Sequence, residues 1–142
     1  MRLTRQTNLA IRMLMYCAAN SVRLSQVGEI AAAYSVSAMH LAQISKPLVA
    51  AGLLRTVRGR NGGVSLGRPP GEITLADVIQ AVETDIGDAL ARCDRSPESA
   101  EEVEMEKALQ LAFEEFLVSL RRHTIADLVA GMPNIRQLLK VA

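Results

Sequence analysis

The spacing of apolar and polar positions divides the chain into a helical opening, a short β-type stretch and a longer helical remainder. Over residues 4–20, Leu9, Ala10, Met13, Leu14, Cys17 and Ala18 form a helical stripe, and Ile11, Met15 and Ala19 spread it around much of the circumference. A helix that apolar is expected to be covered on more than one side, with Cys17 a packed thiol rather than a ligand. A second helix is predicted over residues 26–34, capped by Ser25, with Val27, Ile30, Ala31 and Tyr34 on one face. Ser35, Val36 and Ser37 then have the length of a tight connection. Ser37 is placed to cap a third helix over 38–51 that Gly52 stops. Its inward face is Leu41, Ile44, Leu48 and Ala51, and Pro47 inside it is expected to kink or loosen it.

The period changes after Gly52. Residues 53–57 and 64–66 are leucine-rich and β-branched, and they flank a loop with three glycines and an Asn61-Gly62 step, which predicts a β-hairpin. Helix, turn, helix and hairpin in that order predict a winged helix-turn-helix. After the linker at 68–71, Thr74 and Asp77 open a helix from Leu75 to about Glu83 in the manner of a capping box. Residues 85–102 lack sustained periodicity and read as a loop. A long helix is predicted over 103–122, with Met105, Leu109, Ala112, Phe116 and Leu120 on one stripe and Leu111, Phe113, Leu117 and Val118 beside it. Such a stripe runs roughly 30 Å, more than a small wing domain covers, and is assigned to a dimer interface. Short helical pieces at 127–130 and 135–141 should pack back on the body. The expected architecture is mostly α with a small hairpin wing: a winged helix-turn-helix domain over 1–72, and a second region over 73–142 that carries the long dimerisation helix.

Charge sharpens this division. The whole chain carries a net +1, but residues 1–70 hold nine Lys/Arg against Glu29 alone, a net of +8. The remainder holds seven Lys/Arg against fourteen Asp/Glu, a net of −7. A basic half joined to an acidic one points to a nucleic-acid partner for the first. The N-terminal outward positions of the third helix are Ser37, Met39, His40 and Gln43, with Lys46 a turn later, and that end of a recognition helix meets base edges. Gln43 suits an adenine edge, His40 an acceptor or a phosphate, and Lys46 a phosphate. In the hairpin loop, Arg58 and Arg60 have no carboxylate nearby in sequence, and with Asn61, Gly62 and Gly63 they form a thin basic finger suited to a minor groove. Any single one of the side chains on the third helix reads equally well as a solvated helix position, and the hairpin taken alone has the less favoured reading of a surface hairpin with stray arginines; the order of the elements carries the inference. Nothing pairs a nucleophile with a base, and the glycine-rich 58–63 lacks the Lys-Ser/Thr ending of a phosphate loop, so an enzyme is not expected. No run of about 20 apolar residues and no signal peptide is present, which leads to the expectation of a soluble cytoplasmic protein without membrane contact. Two distant cysteines do not suggest a disulfide framework.

The opening Met1-Arg-Leu-Thr-Arg-Gln-Thr-Asn-Leu-Ala-Ile-Arg, then Glu29-Ile-Ala, Tyr34-Ser-Val-Ser, Gly52-Leu-Leu and Arg58-Gly-Arg-Asn-Gly-Gly-Val, resemble the iron-sulfur winged-helix transcription regulators of bacteria. Met15-Tyr-Cys-Ala-Ala and Thr124-Ile-Ala-Asp-Leu-Val bring the chain nearest to the rhizobial iron regulators of that group. The similarity runs over nearly the whole length. It implies a homodimeric transcription factor, usually a repressor, that binds a palindromic double-stranded DNA operator and answers to iron or iron-sulfur cluster status. Carried over residue by residue, the recognition-helix contacts fall on Ser37, Met39, His40 and Gln43, and the minor-groove arginine on Arg58.

The resemblance also implies an iron-sulfur cluster as cofactor, with Cys93 as a ligand, because soft thiolates hold iron well. Cluster-binding relatives carry three cysteines in this loop. This chain keeps only Cys93, and Ser96, Ser99, Val103 and Met105 stand where the others would fall. Three readings stay open. A cluster is bound atypically through Cys93, with oxygen ligands from Asp85, Asp88, Asp94, Glu98, Glu101 or Glu102, or with ligands from a second subunit. Alternatively Cys93 is a lone redox- or nitric-oxide-sensitive thiol, with Arg92 and Arg95 favouring its thiolate and Asp88 and Asp94 opposing it. In the third, the protein is a cluster-free regulator under the control of a partner.

Overall fold

The computed structural model describes residues 4–84 and 99–138. Its elements are α1 (Arg5–Ala19), α2 (Val27–Ala33), α3 (Ala38–Ala50), the antiparallel strands β1 (Leu54–Val57) and β2 (Gly63–Leu66), and a 3-10 turn (Pro70–Glu72). α4 (Leu75–Val82), α5 (Ala100–Leu120), α6 (Ile125–Ala130) and α7 (Ile135–Leu138) follow. This is the mostly helical fold with one small hairpin that the periodicity predicts.

α1 is the hub. Ala10, Met13 and Leu14 have no exposure, and the helix packs against α3, β2, α4 and α6, so its wide apolar circumference is used on several sides. Ile73, Val78, Ile125 and Ile135, from the acidic half, belong to the same buried cluster as Leu41, Leu48 and Val64 from the basic half. Both ends of α1 are held by residues far away in sequence. At its start, the Glu83 carboxylate accepts hydrogen bonds from the Thr4 N–H at 3.3 Å, the Thr4 hydroxyl at 2.6 Å and the Thr7 hydroxyl. At its end, Arg136 Nε donates to the Ala19 carbonyl at 3.0 Å. An anion at the N-terminus and a cation at the C-terminus each oppose the helix dipole. α4 and α6 start side by side: Thr74 and Thr124 bridge one another, and each opens its helix with a complete capping box closed by Asp77 and Asp127.

Three local expectations are corrected. Ser25 does not cap the second helix, whose N-cap residue is Gln26 with no side-chain bond. Ser25 is fully buried and its backbone pairs with Val64, because the hairpin's return strand takes its N–H and carbonyl as a further rung. Ala51 is exposed rather than inward, since α3 ends at Ala50 and Ala51 is its C-cap. Gly52, at φ 72, makes the left-handed turn that follows, a conformation glycine adopts without strain. The long helix begins at Ala100, three residues before the expected start, because Ser99 caps it by accepting from the Glu102 N–H at 3.2 Å, and Glu101 and Glu102 suit its first turn. Pro47 lies inside α3 and the helix continues through it.

The Glu83 contacts carry a testable consequence. Partial burial works against its charge, but the bonds from Thr4 and Thr7 outweigh it and hold the carboxyl below its ordinary value. Its stabilising contribution is therefore fully present above the unfolded-state pKa and drains away as pH falls through the lower, folded-state one. Glu83→Gln is expected to lower the urea midpoint at pH 7, and wild type and variant should converge as pH drops through the acid range.

Candidate nucleic-acid interface

The turn between α2 and α3 is closed by Ser35 and Val36, whose N–H groups donate to Ala32 and Ala31 at 3.3 and 3.0 Å, with Ser35 in a left-handed conformation. Ser37 then caps α3 by accepting from the His40 N–H at 3.1 Å, as its position predicts. Leu41, Ile44 and Leu48 are buried, and this fixes the opposite face outward. Ser37, Met39, Gln43 and Lys46 are exposed, Met39 by 78%, and His40 is half-buried. The end of α2 is pinned to α1 through Tyr34, whose hydroxyl donates to the Arg12 carbonyl at 2.9 Å and whose ring lies edge-on to Tyr16 at 6.5 Å.

The hairpin is joined to this unit at two points. Ser25 N–H donates to Val64 at 2.9 Å and Val64 N–H to Ser25 at 2.7 Å, so β2 is flanked by β1 on one side and by the lead-in to α2 on the other. The Leu53 N–H donates to the Leu48 carbonyl at 2.9 Å, which ties the root of β1 to the last turn of α3. Gly63 sits where the chains come closest: a Cβ there would lie 2.7 Å from the Ser25 carbonyl oxygen. Arg58, Arg60 and Asn61 are exposed in the loop, and Gly62 and Gly63 are half-buried at its return.

Lys46 and Arg58, predicted separately, line one groove of ≈ 590 Å³ between α3 and β1, together with Ser45, Val49, Arg55 and Thr56. Ser37, Met39, His40 and Gln43 lie toward the opposite end of α3 and do not line it, nor do Arg60 and Asn61. Arg55, Ser45 and Thr56 are absent from the sequence-based set. A strand alternation begun at buried Leu54 turns Arg55 outward, and that was the available signal. Among the described residues, ion pairs join Arg23 to Glu29, Arg68 to Asp77 and Lys107 to Glu104, and none involves Lys46, Arg55, Arg58 or Arg60.

Of the residues expected at a dimer interface, Met105 is 57% and Leu109 63% exposed, Ala112 is also exposed, and Phe116 and Leu120 are half-buried. Leu117 is the buried residue of this helix, so its C-terminal half meets the body, whereas residues 104–112 are exposed. Cys93, proposed as a metal ligand, lies outside the described residues, as do Asp85, Asp88, Asp94 and Glu98. Cys17 is packed as expected, 3% exposed, and burial pushes its thiol up to about 12 despite a hydrogen bond with Ser25. A protonated, enclosed thiol is a poor metal ligand. Among the described residues, no group of three or more His, Cys, Asp or Glu side chains is placed to hold a metal ion. Nor is any helix among them long and apolar enough to cross a membrane.

A capped outward helix after a tight turn, with a hairpin sewn to its far end, defines a winged helix-turn-helix protein. Residues 3–131 match the model of the Rrf2 family, described as an iron-dependent transcriptional regulator, and the chain belongs to that family. It is 49% identical over 143 residues to Protein aau3 of Rhizobium meliloti (strain 1021), covering 98% of this chain and 92% of that one. It is 34% identical over 145 residues to the HTH-type transcriptional regulator NsrR of Geobacillus kaustophilus (strain HTA426), covering 99% and 97%. Among solved structures, the fold matches CymR (YrzC), the global cysteine regulator of B. subtilis, with a TM-score of 0.71 at 22% identity over 93% of this chain and 98% of that one. It matches T. potens IscR with a TM-score of 0.69 at 22% identity over 92% and 88%. The protein is a transcriptional regulator and not an enzyme.

The thiol assignment is open to direct measurement. In a Cys93→Ala variant Cys17 is the remaining cysteine, and it should react with a chromogenic disulfide at least about tenfold more slowly in native protein than in urea-unfolded protein. Equal rates would place Cys17 outside the core.

Proposed function

We propose that the protein is a homodimeric repressor that binds a palindromic double-stranded operator and answers to iron or iron-sulfur status. Residues 1–72 grip the duplex, and residues 73–142 carry the cofactor segment and the dimer contact. The observation that carries this reading is the fixed pairing of α3 with a hairpin whose cations form no ion pair among the described residues. In it, Ser37, Met39, His40 and Gln43 meet base edges in a major groove, Lys46 meets a phosphate, and Arg58 enters the adjacent minor groove. Arg60, Asn61, Gly62 and Gly63 shape the finger that carries Arg58. Two-fold symmetry of the protein is mirrored in the operator.

The exposed apolar positions of α5 support the dimer. A 21-residue helix with Met105 and Leu109 open to water buries that surface against a second copy, where α5 of each protomer lies on the other. Leu109→Glu places a charge on this face and is expected to shift the protein to monomer by sedimentation, with loss of operator binding and retained helical content.

Cys93 is the sulfur we assign to the sensor. The described residues do not supply a cluster site, and Cys17 is enclosed, so a cluster draws on Cys93, on oxygen ligands among Asp85, Asp88, Asp94, Glu98, Glu101 and Glu102, or on a second subunit. An iron-sulfur cluster would contribute reversible, iron-dependent occupancy. The family's description as iron-dependent supports this reading. A second reading, a lone thiol sensor or a cluster-free regulator, is favoured by one observation: with Cys17 sealed in the core, Cys93 is the single thiol left in a chain of two cysteines.

Two measurements test the proposal. Arg58→Ala should weaken binding to a selected operator by about 1–3 kcal/mol, and unchanged affinity would remove the wing assignment. Protein isolated anaerobically from iron-replete cells should be coloured and contain iron and sulfide, and Cys93→Ala should lose both. Colourless wild type would favour the cluster-free reading, whereas colour retained in the variant would take Cys93 off the ligand set.

A further inference from the structure

The groove between α3 and β1 is unusual in its chemistry. Lys46 comes from the helix, Arg55 from the strand and Arg58 from the start of the loop, and among the described residues no carboxylate lines the space between them. Like charges gathered around one groove repel one another, and none of the three is neutralised by an ion pair among the described residues. Their positions are held by backbone, since the Leu53 N–H is bonded to the Leu48 carbonyl, tying β1 to α3, and Arg55 is opposite Ser65 in the hairpin register. The lining is also amphipathic: Ser45 and Thr56 add hydroxyls, and Val49, 39% exposed, adds an apolar rest with Ala50. An isolated inorganic anion has no use for the apolar part. A sugar-phosphate chain uses both, with the phosphate at the cations and the deoxyribose on Val49.

We propose that this groove seats the phosphodiester backbone of the duplex where it passes from the major groove read by α3 to the minor groove entered by the hairpin, with Arg55 as a phosphate donor. This rests on the DNA-binding reading above and adds a residue, and a chemical role, outside the base-reading set. A phosphate contact sets register and affinity and carries no sequence information. Arg55 is exposed on the strand, so its replacement leaves the core untouched.

The test uses full-length protein and two fluorescent 30-base-pair duplexes, one enriched by the protein from a random pool and one a scramble of it. Arg55→Ala should weaken binding to both by a similar factor, at least about tenfold, and should reduce the slope of log K against log salt by about 1.8, that is about 0.9 for each of the two protomers. Arg55→Lys should restore the slope. Replacing single phosphates with neutral methylphosphonates should then identify one position per half-site that costs wild type affinity and costs Arg55→Ala nothing further. Arg55→Ala with wild-type affinity and slope would overturn the groove assignment while leaving the DNA-binding reading intact. Loss on the enriched duplex alone would overturn it too, by making Arg55 a base reader. Wild type that enriches no duplex would instead remove the DNA-binding reading on which the proposal stands.

Discussion

Two backbone hydrogen bonds between Ser25 and Val64 fix where the hairpin stands relative to the helix-turn-helix. An isolated two-stranded hairpin is marginal in water and would swing on its root. Here β2 is flanked on both edges, by β1 and by the segment leading into α2, and Gly63 keeps the approach to Ser25 free of a side chain. Ser25 is itself buried beside Asn20, whose side chain meets its hydroxyl at 3.2 Å at the end of α1. The hairpin is thus positioned by the same core that positions α3. A reader of two adjacent grooves needs this rigidity, because a finger free to swing would lose the entropy of its ordering at each binding event.

The same core joins the two halves of opposite charge. α1 is clamped at one end by Glu83, which closes α4, and at the other by Arg136 of α7, so both clamps come from the acidic half while the helix belongs to the basic one. Glu83 lies two residues before the stretch that contains Cys93. Glu83 is hydrogen-bonded to the start of α1, and α1 packs directly on α3. The outer part of α5 behaves differently: Met105, Leu109 and Leu111 face water, and its Ser99 cap and acidic first turn support it as a helix.

Much of this was legible in residue order. The wide apolar stripe of α1, the Ser37 cap, the Gly52 stop and the hairpin's glycines are local signals, and each appears where its chemistry predicts. The winged-helix architecture followed from their order. What was not legible depends on partners distant in sequence. Ser25 is a good cap by type, and only Val64, far along the chain, converts it into a strand residue. Nothing near Glu83 or Arg136 marks either as a clamp on α1. Arg55 was visible as one more positive charge, and only the folding of β1 against α3 sets it beside Lys46 and Arg58. The start of α5 was misplaced because its first turn lacks apolar periodicity, leaving the Ser99 cap and the acidic Glu101 and Glu102 as its markers.

The central claim is that α3 and the hairpin meet the duplex together, as one rigid reader of adjacent grooves. Methylation footprinting on the selected operator tests it most directly, since dimethyl sulfate reports guanine N7 in the major groove and adenine N3 in the minor groove. The account predicts major-groove protection in each half-site flanked by minor-groove protection about 5 base pairs away, with Arg58→Ala losing only the minor-groove signal. Protection confined to the major groove in wild type, or a minor-groove signal untouched by Arg58→Ala, would contradict it.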